Sequence, residues 1–252
     1  ATGATELWNG SSWTEVNDLP AATSDMAGLG TQTSAFCVGG NRTNESNLVY
    51  EWDGTNWTSG TALNTARTGL AACGTTPAGL AFGGRQIPTS NNAQTETWNG
   101  SAWTEVSDLN TARYNLGGFG TSTSAIGVGG TGPTTDCESW DGSSWTEVNN
   151  ISTADTYYSA AAGANSSSGL AVRGTATEEW AFSAGGSPSS ALVVGGDAPP
   201  GKQNATEEWT FSGLPPSTPA ADYADAIIGD FYYNSTTGQF KQINTGGAPV
   251  GT

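Results

Sequence analysis

The chain has 252 residues and a net charge of −16, from seven Lys and Arg against 23 Asp and Glu, and it contains no histidine. This charge argues against binding of nucleic acid through phosphates, which needs clustered Lys and Arg. The absence of histidine excludes Ser-His-Asp triads and most zinc sites, and the low share of charged residues, 12%, argues against a helical protein.

Abundant Gly, Thr, Ser and Trp favour short strands and tight turns. The aromatic content of 10% argues against disorder. No apolar run approaches the roughly 18 residues that span a bilayer, and no signal-peptide pattern opens the chain. Because the sequence begins without Met, we expect it to be a piece of a longer polypeptide.

An internal repeat dominates the chain and predicts its architecture. Similar units occupy residues 5–40, 50–84 and 95–130, and a fourth begins at residue 138. Each unit opens with a tryptophan, and the leading tryptophans are Trp8, Trp52, Trp98, Trp140, Trp180 and Trp209. The first five are 40 to 46 residues apart, which matches the period of one propeller blade. Turn signals divide each unit into four short antiparallel strands, as expected for a blade.

A second tryptophan follows the first across an Asn/Asp-Gly hairpin in four units. The pairs are Trp8 and Trp13, Trp52 and Trp57, Trp98 and Trp103, and Trp140 and Trp145. A four-residue loop would place Glu6 opposite Glu15, whereas a two-residue Asn9-Gly10 turn would place Glu6 opposite Trp13. Since like charges directly opposed are unfavourable, the two-residue turn is preferred. In either register the two rings share a face, and their recurrence favours packing between blades over sugar-stacking rings.

This pattern resembles the kelch repeat over residues 5–174, and more weakly to residue 212. The double glycines of that repeat match Gly39-Gly40, Gly83-Gly84 and Gly129-Gly130, and its arginine matches Arg67 and Arg113. The chain departs from the pattern in having Trp where kelch repeats usually have Tyr, a shorter gap to the second Trp, and Asp155 at the fourth arginine position. The resemblance implies a kelch-like β-propeller, with six blades counted from the leading tryptophans and five or seven as alternatives.

The repeat weakens towards the end of the chain. Near residues 183–184 about 15 residues are missing relative to the other units, so this blade is either trimmed or incomplete. We therefore divide the chain into propeller repeats over residues 1–212 and a second segment over residues 213–252. That segment has a proline-rich extended link and then a predicted hairpin around Thr237-Gly238 that either completes or follows the last blade.

The tail and the repeat units together resemble virion structural proteins of tailed phages, particularly those of marine cyanobacteria. Those proteins combine kelch-like repeats with Gly-Asp-aromatic-Tyr-Asn segments, as in Gly229 to Asn234. The resemblance implies a fibre or appendage of the virion, with other virion proteins as partners and no membrane insertion.

No constellation of catalytic residues emerges. Glu178-Glu179 and Glu207-Glu208 are adjacent on strands and point to opposite faces, so neither pair can flank a glycosidic bond. A glutamate stands two residues before most leading tryptophans, and such recurrence indicates a structural role. Cys37 and Cys73 occupy places held by apolar residues in other units, which predicts that both are buried. The three cysteines, including Cys137, show no disulfide or metal spacing.

Specificity in repeat scaffolds usually lies in loops that depart from the repeat. Here the loop after each double glycine varies, and its polar side chains suit carbohydrate hydroxyls or solvated spacers. The candidate binding residues are Arg42, Glu45, Arg85, Gln86, Asn91, Asn92, Lys202 and Gln203. The acids are scattered without a dense Asp-rich loop, so we predict no metal site and no cofactor.

These observations predict a non-enzymatic virion structural protein, a tail fibre or surface appendage, that contacts host-surface polysaccharide. The alternative is a free or secreted microbial carbohydrate-binding propeller that resembles a lectin. A glycosidase is the least favoured reading.

Overall fold

The computed structural model of the chain describes residues 3–41, 44–86, 90–131, 134–151, 160–173, 176–181, 190–198, 201–210, 231–234 and 239–242. Beyond Gly169 it describes only the backbone of the strands. The chain divides into two units, Ala1–Trp209 and Thr210–Thr252. The described residues contain strands and no helix, and hence no helix of the length and apolarity that crossing a membrane requires.

The first unit holds most of the strands. They are β1 (Thr5–Trp8), β2 (Trp13–Val16), β3 (Ala27–Thr31), β4 (Ser34–Val38), β5 (Val49–Trp52), β6 (Trp57–Ser59), β7 (Ala71–Thr75), β8 (Ala78–Phe82), β9 (Arg85–Gln86), β10 (Ser90–Asn91), β11 (Thr95–Trp98), β12 (Trp103–Val106), β13 (Gly117–Thr121), β14 (Ser124–Val128), β15 (Cys137–Trp140), β16 (Trp145–Val148), β17 (Ala160–Asn165), β18 (Ser168–Arg173), β19 (Ala176–Ala181), β20 (Ser190–Ala198) and β21 (Gly201–Thr210).

Three sheets have four antiparallel strands each, as the repeat predicts, and we call them repeat sheets 1, 2 and 3. They comprise β3-β4-β5-β6, β7-β8-β11-β12 and β13-β14-β15-β16. A three-stranded sheet β17-β18-β19 follows, and β1-β2 and β20-β21 form two-stranded sheets. The opening strands lie side by side in the order β3, β7, β13 and β17. The fold is therefore all-β, and its antiparallel sheets are consistent with a β-propeller-like arrangement.

The core lies between successive repeat sheets. Phe36 of sheet 1 meets Trp98 of sheet 2 edge to face, with ring centroids 5.7 Å apart. The ring centroids of Phe82 in sheet 2 and Trp145 in sheet 3 lie 4.7 Å apart. Sheets 2 and 3 thus each bury one apolar face against the sheet before them, which is the main stabilising contribution of an aromatic layer.

The tryptophan pairs form this layer, as predicted. Their ring centroids lie 5.3 Å apart in the pairs Trp8–Trp13 and Trp52–Trp57 and 5.4 Å apart in the pairs Trp98–Trp103 and Trp140–Trp145. The indole of Trp145 donates to the hydroxyl of Thr95 in the preceding sheet at 2.9 Å. Burial is nearly complete in sheets 2 and 3, whereas both members of the first pair are only half-buried.

The preferred two-residue hairpin turn was wrong. Trp8 pairs directly with Trp13 and Glu6 with Glu15, so the loop has four residues, and the same register recurs in the other units. The argument from like charges fails in sheets 2 and 3 because the inner glutamate of each such pair is neutralised by a buried arginine.

The loop chemistry explains why Asn or Asp opens these turns. In the first loop the side-chain oxygen of Asn9 accepts the backbone N–H groups of Ser11 and Ser12, both at 2.9 Å. Asp141 accepts the equivalent pair at 2.8 Å. The next residue is glycine with φ near 93° in the first loop, a left-handed conformation that other residues rarely adopt. The acid or amide is therefore a hydrogen-bond acceptor of the turn.

The prediction that Cys37 and Cys73 are buried is confirmed for Cys73 and wrong for Cys37. Cys73 is buried, whereas Cys37 remains partly exposed. Ala81, which is equivalent to Cys37, packs in sheet 2 against side chains of sheet 1. The sheet before repeat sheet 1 consists, among the described residues, of β1 and β2 alone, so the side chain of Cys37 has less to pack against.

The second unit contains one described hairpin, at the predicted place. Strands β22 (Phe231–Asn234) and β23 (Gln239–Gln242) pair antiparallel, with Phe231 opposite Gln242. The proline-rich link and the interruption near residues 183–184 lie outside the described residues.

Candidate functional site

Two buried ion pairs are the most strongly charged features inside the described structure. Arg67 donates to the Glu96 carboxylate at 2.9 Å, and Arg113 donates to Glu138 at 3.0 Å. Each of the four side chains is at most 1% exposed. Burial lowers the pKa of both arginines, and the attraction of the partner glutamate opposes that shift. A charge removed from water in this way is tolerated only when it is fully paired.

Further donors and acceptors of each ion pair bond the backbone, whereas the Nε groups of Arg67 and Arg113 are buried without an acceptor among the described residues. Arg67 also donates to the carbonyls of Gly83 and Gln94, at 2.9 and 2.6 Å, which are the two stems of the loop between β8 and β11. Arg113 bonds the equivalent carbonyls of Gly129 and Asp136. The glutamates accept the backbone N–H groups of the segments that enter β7 and β13, at Asn64 and Asn110. The ion-paired arginines and glutamates therefore hold the two ends of each loop together, and they are unavailable for acid–base chemistry.

In the first repeat, all three positions of this ion-pair network carry other residues. Thr23 stands at the arginine position and is buried, and Tyr50 stands at the glutamate position and is also buried. Pro20 replaces the asparagine that would bond the glutamate. Removal of both charges together avoids an unpaired ion in the core, which explains why neither charge occurs alone in repeat sheet 1.

The variable loops gather along one end of the repeat sheets, which we call the loop face. Three equivalent backbone hydrogen bonds define it: Asn41 N–H to the Ser24 carbonyl at 2.7 Å, Arg85 N–H to the Thr68 carbonyl at 2.9 Å, and Thr131 N–H to the Tyr114 carbonyl at 2.7 Å. Each joins the first residue after a double glycine to the segment that enters the opening strand of a repeat sheet. The tryptophan hairpins lie at the opposite end, where Trp52, Trp98 and Trp140 donate to the turns after β3, β7 and β13.

The double glycines make this junction possible. The backbone N–H of Gly84 donates to the Arg113 carbonyl of the next repeat at 2.9 Å. Both Gly83 and Gly84 have positive φ, of 66° and 101°, and a Cβ on Gly83 would lie 2.9 Å from the same carbonyl. A side chain there would separate the loop from the next repeat.

Four of the predicted binding residues lie in one loop of this face. Arg85 and Gln86 form β9, which pairs with Asn91 in the two-residue strand β10. The amide of Asn92 is engaged with Gln94, both as donor at 2.9 Å and as acceptor at 2.6 Å. Arg85 and Asn91 therefore lie on one face of the ribbon and Gln86 on the other. The Asn91 amide donates to the Ala112 carbonyl at 3.4 Å, and Asn92 shapes the loop.

The other four predicted residues are more scattered. Glu45 is partly buried and bridges to Asn41 in the loop of repeat sheet 1. Lys202 and Gln203 lie in β21, where only the backbone is described, and Arg42 lies outside the described residues.

One residue of this loop face escaped the sequence reasoning. The guanidinium carbon of Arg85 lies 4.6 Å from the centroid of the Tyr114 ring, within the range of a cation–π interaction. Tyr114 stands where the other repeats have Ser24 and Thr68. That departure from small hydroxyl residues to an aromatic is the signal that could have found it.

The chain matches no protein-family model, and no curated protein is similar enough to count as a relative. The described residues contain no group of three or more Cys, Asp or Glu side chains arranged to hold a metal ion. Cys37 and Cys73 are free thiols, and burial raises the pKa of Cys37 to about 11 and that of Cys73 to about 12. Such thiols are inert as nucleophiles near neutral pH.

Proposed function

We propose that the first unit is a kelch-like β-propeller of about six blades. Support comes from three successive four-stranded antiparallel sheets, a further three-stranded sheet and the side-by-side order of their opening strands. An experimental structure of the full-length protein tests this proposal. Repeat sheets arranged about a closed axis are expected, and an open row of sheets would contradict it.

The protein is, in this proposal, a non-enzymatic virion structural protein, a tail fibre or surface appendage that contacts host glycans through the loop face. The proposed glycan contact is supported by one observation: the recurring residues are buried, whereas the variable polar residues lie in loops. In repeat sheets 2 and 3 the recurring tryptophans, arginines and glutamates are buried in packing and hydrogen bonds. The irregular polar side chains gather at the loop face, where loops of repeat scaffolds usually carry recognition.

The virion assignment rests on the sequence resemblance and on composition. The chain has few Lys and Arg and many Gly residues, and its tail and repeat units are similar to those of virion proteins of tailed phages. Electron cryomicroscopy and mass spectrometry of purified phage particles test the assignment. Symmetric copies on the particle are expected, whereas recovery only as a free secreted monomer would favour the lectin-like alternative.

Glycan contact is tested separately with the full-length protein on a glycan array. Binding that weakens on Asn91→Ala is expected, because this exposed amide belongs to the loop face. The matched control is Thr104→Ala, an exposed change on the outer strand β12. Equal loss in both variants would remove the loop face from the proposal, and turnover of any glycoside would contradict the non-enzymatic assignment.

A further inference from the structure

Arg85 is held in place by its backbone and by an aromatic ring. Its N–H and carbonyl both bond Thr68, at 2.9 and 3.1 Å. Its guanidinium lies over Tyr114 of the next repeat. The side chain therefore loses little further freedom when its remaining donors are engaged, which favours ligand binding.

Those donors have no partner within the described structure. Arg67 and Arg113 each bond a carboxylate, but no ion pair or side-chain hydrogen bond joins Arg85 to any described residue, and its Nε is shielded from solvent without an acceptor. A guanidinium has five N–H donors in a planar fork that fits a carboxylate with two parallel hydrogen bonds.

Two further polar groups without partners accompany Arg85. The hydroxyl oxygens of Thr68 and Thr131 are buried and make no hydrogen bond among the described residues. Thr68 is 2% exposed and bonds the Arg85 backbone, and Thr131 bonds the Tyr114 backbone. The Nε groups of Arg67 and Arg113 are buried without an acceptor as well, so what distinguishes Arg85 is that it has no carboxylate partner among the described residues.

We infer that Arg85 is the anchor of a binding site for a carboxylate-bearing sugar, a uronic acid residue of an acidic polysaccharide. The guanidinium accommodates the sugar carboxylate in two hydrogen bonds, and Tyr114 keeps it oriented. Asn91 lies directly opposite Arg85 in the paired strands β9 and β10, so both lie on one face of the ribbon, and the exposed Asn91 side chain is placed to contact the sugar hydroxyl groups. This inference rests on the proposed glycan contact and specifies its ligand.

A carboxylate matches the guanidinium in shape, because its two coplanar oxygens accept two parallel N–H donors. With only seven Lys and Arg in the chain, this one cation carries the recognition of the anion.

Equilibrium binding of the full-length protein tests this assignment. The probes are oligomers of galacturonate, glucuronate and mannuronate, each compared with its carboxyl-reduced neutral form. We expect at least one acidic oligomer to bind about tenfold or more tightly than its neutral form, because a charge-assisted pair is lost on reduction. Arg85→Gln should abolish that preference, Arg85→Lys should restore it in part, and Thr104→Ala should leave it unchanged.

The outcomes separate this inference from the proposed function. Binding of neutral glycans that is insensitive to Arg85→Gln would overturn the uronate site and leave glycan contact standing. No acidic preference, or an Arg85-dependent preference for sulfated oligomers alone, would also overturn the site, and no glycan binding of any kind would overturn both. Tyr114→Leu, which removes the ring beneath Arg85, should weaken binding of the acidic oligomer, whereas Tyr114→Phe should preserve it. Thermal unfolding of each variant verifies that it is folded.

Discussion

Arg113 and Glu138 form a hydrogen-bonded ion pair 3.0 Å long at a place where neither side chain is more than 1% exposed. The pair joins the segment that enters β13 to the third strand of the same repeat sheet. It also fastens the base of the variable loop after Gly129-Gly130 through the Arg113 bonds to the backbone. One buried contact thus connects the stability of the sheet to the presentation of the loop face.

Removing the charge of only one partner of this ion pair should destabilise the fold strongly. Glu138→Gln leaves the Arg113 charge buried without its counter-ion, and we expect a loss of about 3–5 kcal/mol in the free energy of unfolding. Denaturant unfolding measures the loss. The matched variant combines Arg113→Thr with Glu138→Tyr and Asn110→Pro, the set that repeat sheet 1 contains. It should cost less than the sum of the single changes, and simple additivity would contradict the coupling.

The close approach of sheets 2 and 3 should make Gly118 intolerant of a side chain. A Cβ there would lie 2.5 Å from the Phe82 ring and 2.9 Å from the Ala71 methyl group. We expect Gly118→Ala to destabilise the fold by about 1–3 kcal/mol through overpacking. The equivalent Gly28 is the control, because a Cβ there meets only the Phe36 carbonyl at 3.9 Å. Gly28→Ala should be neutral or slightly stabilising in thermal unfolding, and an equal loss in both variants would refute the packing argument.

The turn acceptor Asp141 should be replaceable by asparagine but not by alanine. Asn9 and Asn99 already perform the same task in other loops. We expect Asp141→Asn to leave the thermal midpoint at neutral pH nearly unchanged and Asp141→Ala to lower it. An equal loss in Asp141→Asn and Asp141→Ala would show that the charge, and not the acceptor alone, supports the turn.

The same hydrogen bonds predict how Asp141 titrates. Bonds from Ser144 and Ser143 lower the pKa of Asp141 to about 2, below the value of about 3.9 for an unfolded chain. The stabilising contribution is therefore present above pH ~3.9 and is lost as pH falls towards 2. Carboxyl chemical shifts measured by NMR during an acid titration report this pKa, and a midpoint near 4 would contradict the turn geometry.

The raised thiol pKa values predict slow alkylation of the folded protein. Unfolded cysteine titrates near pH ~8.5, whereas Cys37 and Cys73 stay protonated to about 11 and about 12. Iodoacetamide at pH 8 should therefore leave the buried Cys73 unmodified in the folded chain and react slowly with the partly exposed Cys37, whereas both thiols should react in denaturant, as read by mass spectrometry. The corresponding stability is complete below pH ~8.5 and declines as pH rises through the folded pKa values. Rapid modification of Cys73 in the folded state would contradict its burial.

Much of the fold could be predicted from local signals. The repeat period, the turn residues and the recurring tryptophans predicted four-stranded sheets and an aromatic layer, because strand alternation and turn chemistry are local properties. The hairpin register could not be predicted from these signals. In sheets 2 and 3, Arg67 and Arg113 lie far from the paired glutamates in sequence and remove the repulsion that the local argument assumed. The same register also holds where Glu6 lies opposite Glu15 and where Tyr50 lies opposite Ser59.

For the candidate site, the sequence alone determined where variation lies: in the loops after the double glycines, with their polar side chains. Only the tertiary structure decided which of those residues meet. In the structure, Arg85 lies over Tyr114 of the next repeat, and the Asn92 amide bonds within its own loop. Arg67 and Arg113 bond the backbone at the ends of the loops. The physical reason is that a repeat pattern specifies each sheet separately, whereas partners across sheets depend on how adjacent repeats pack.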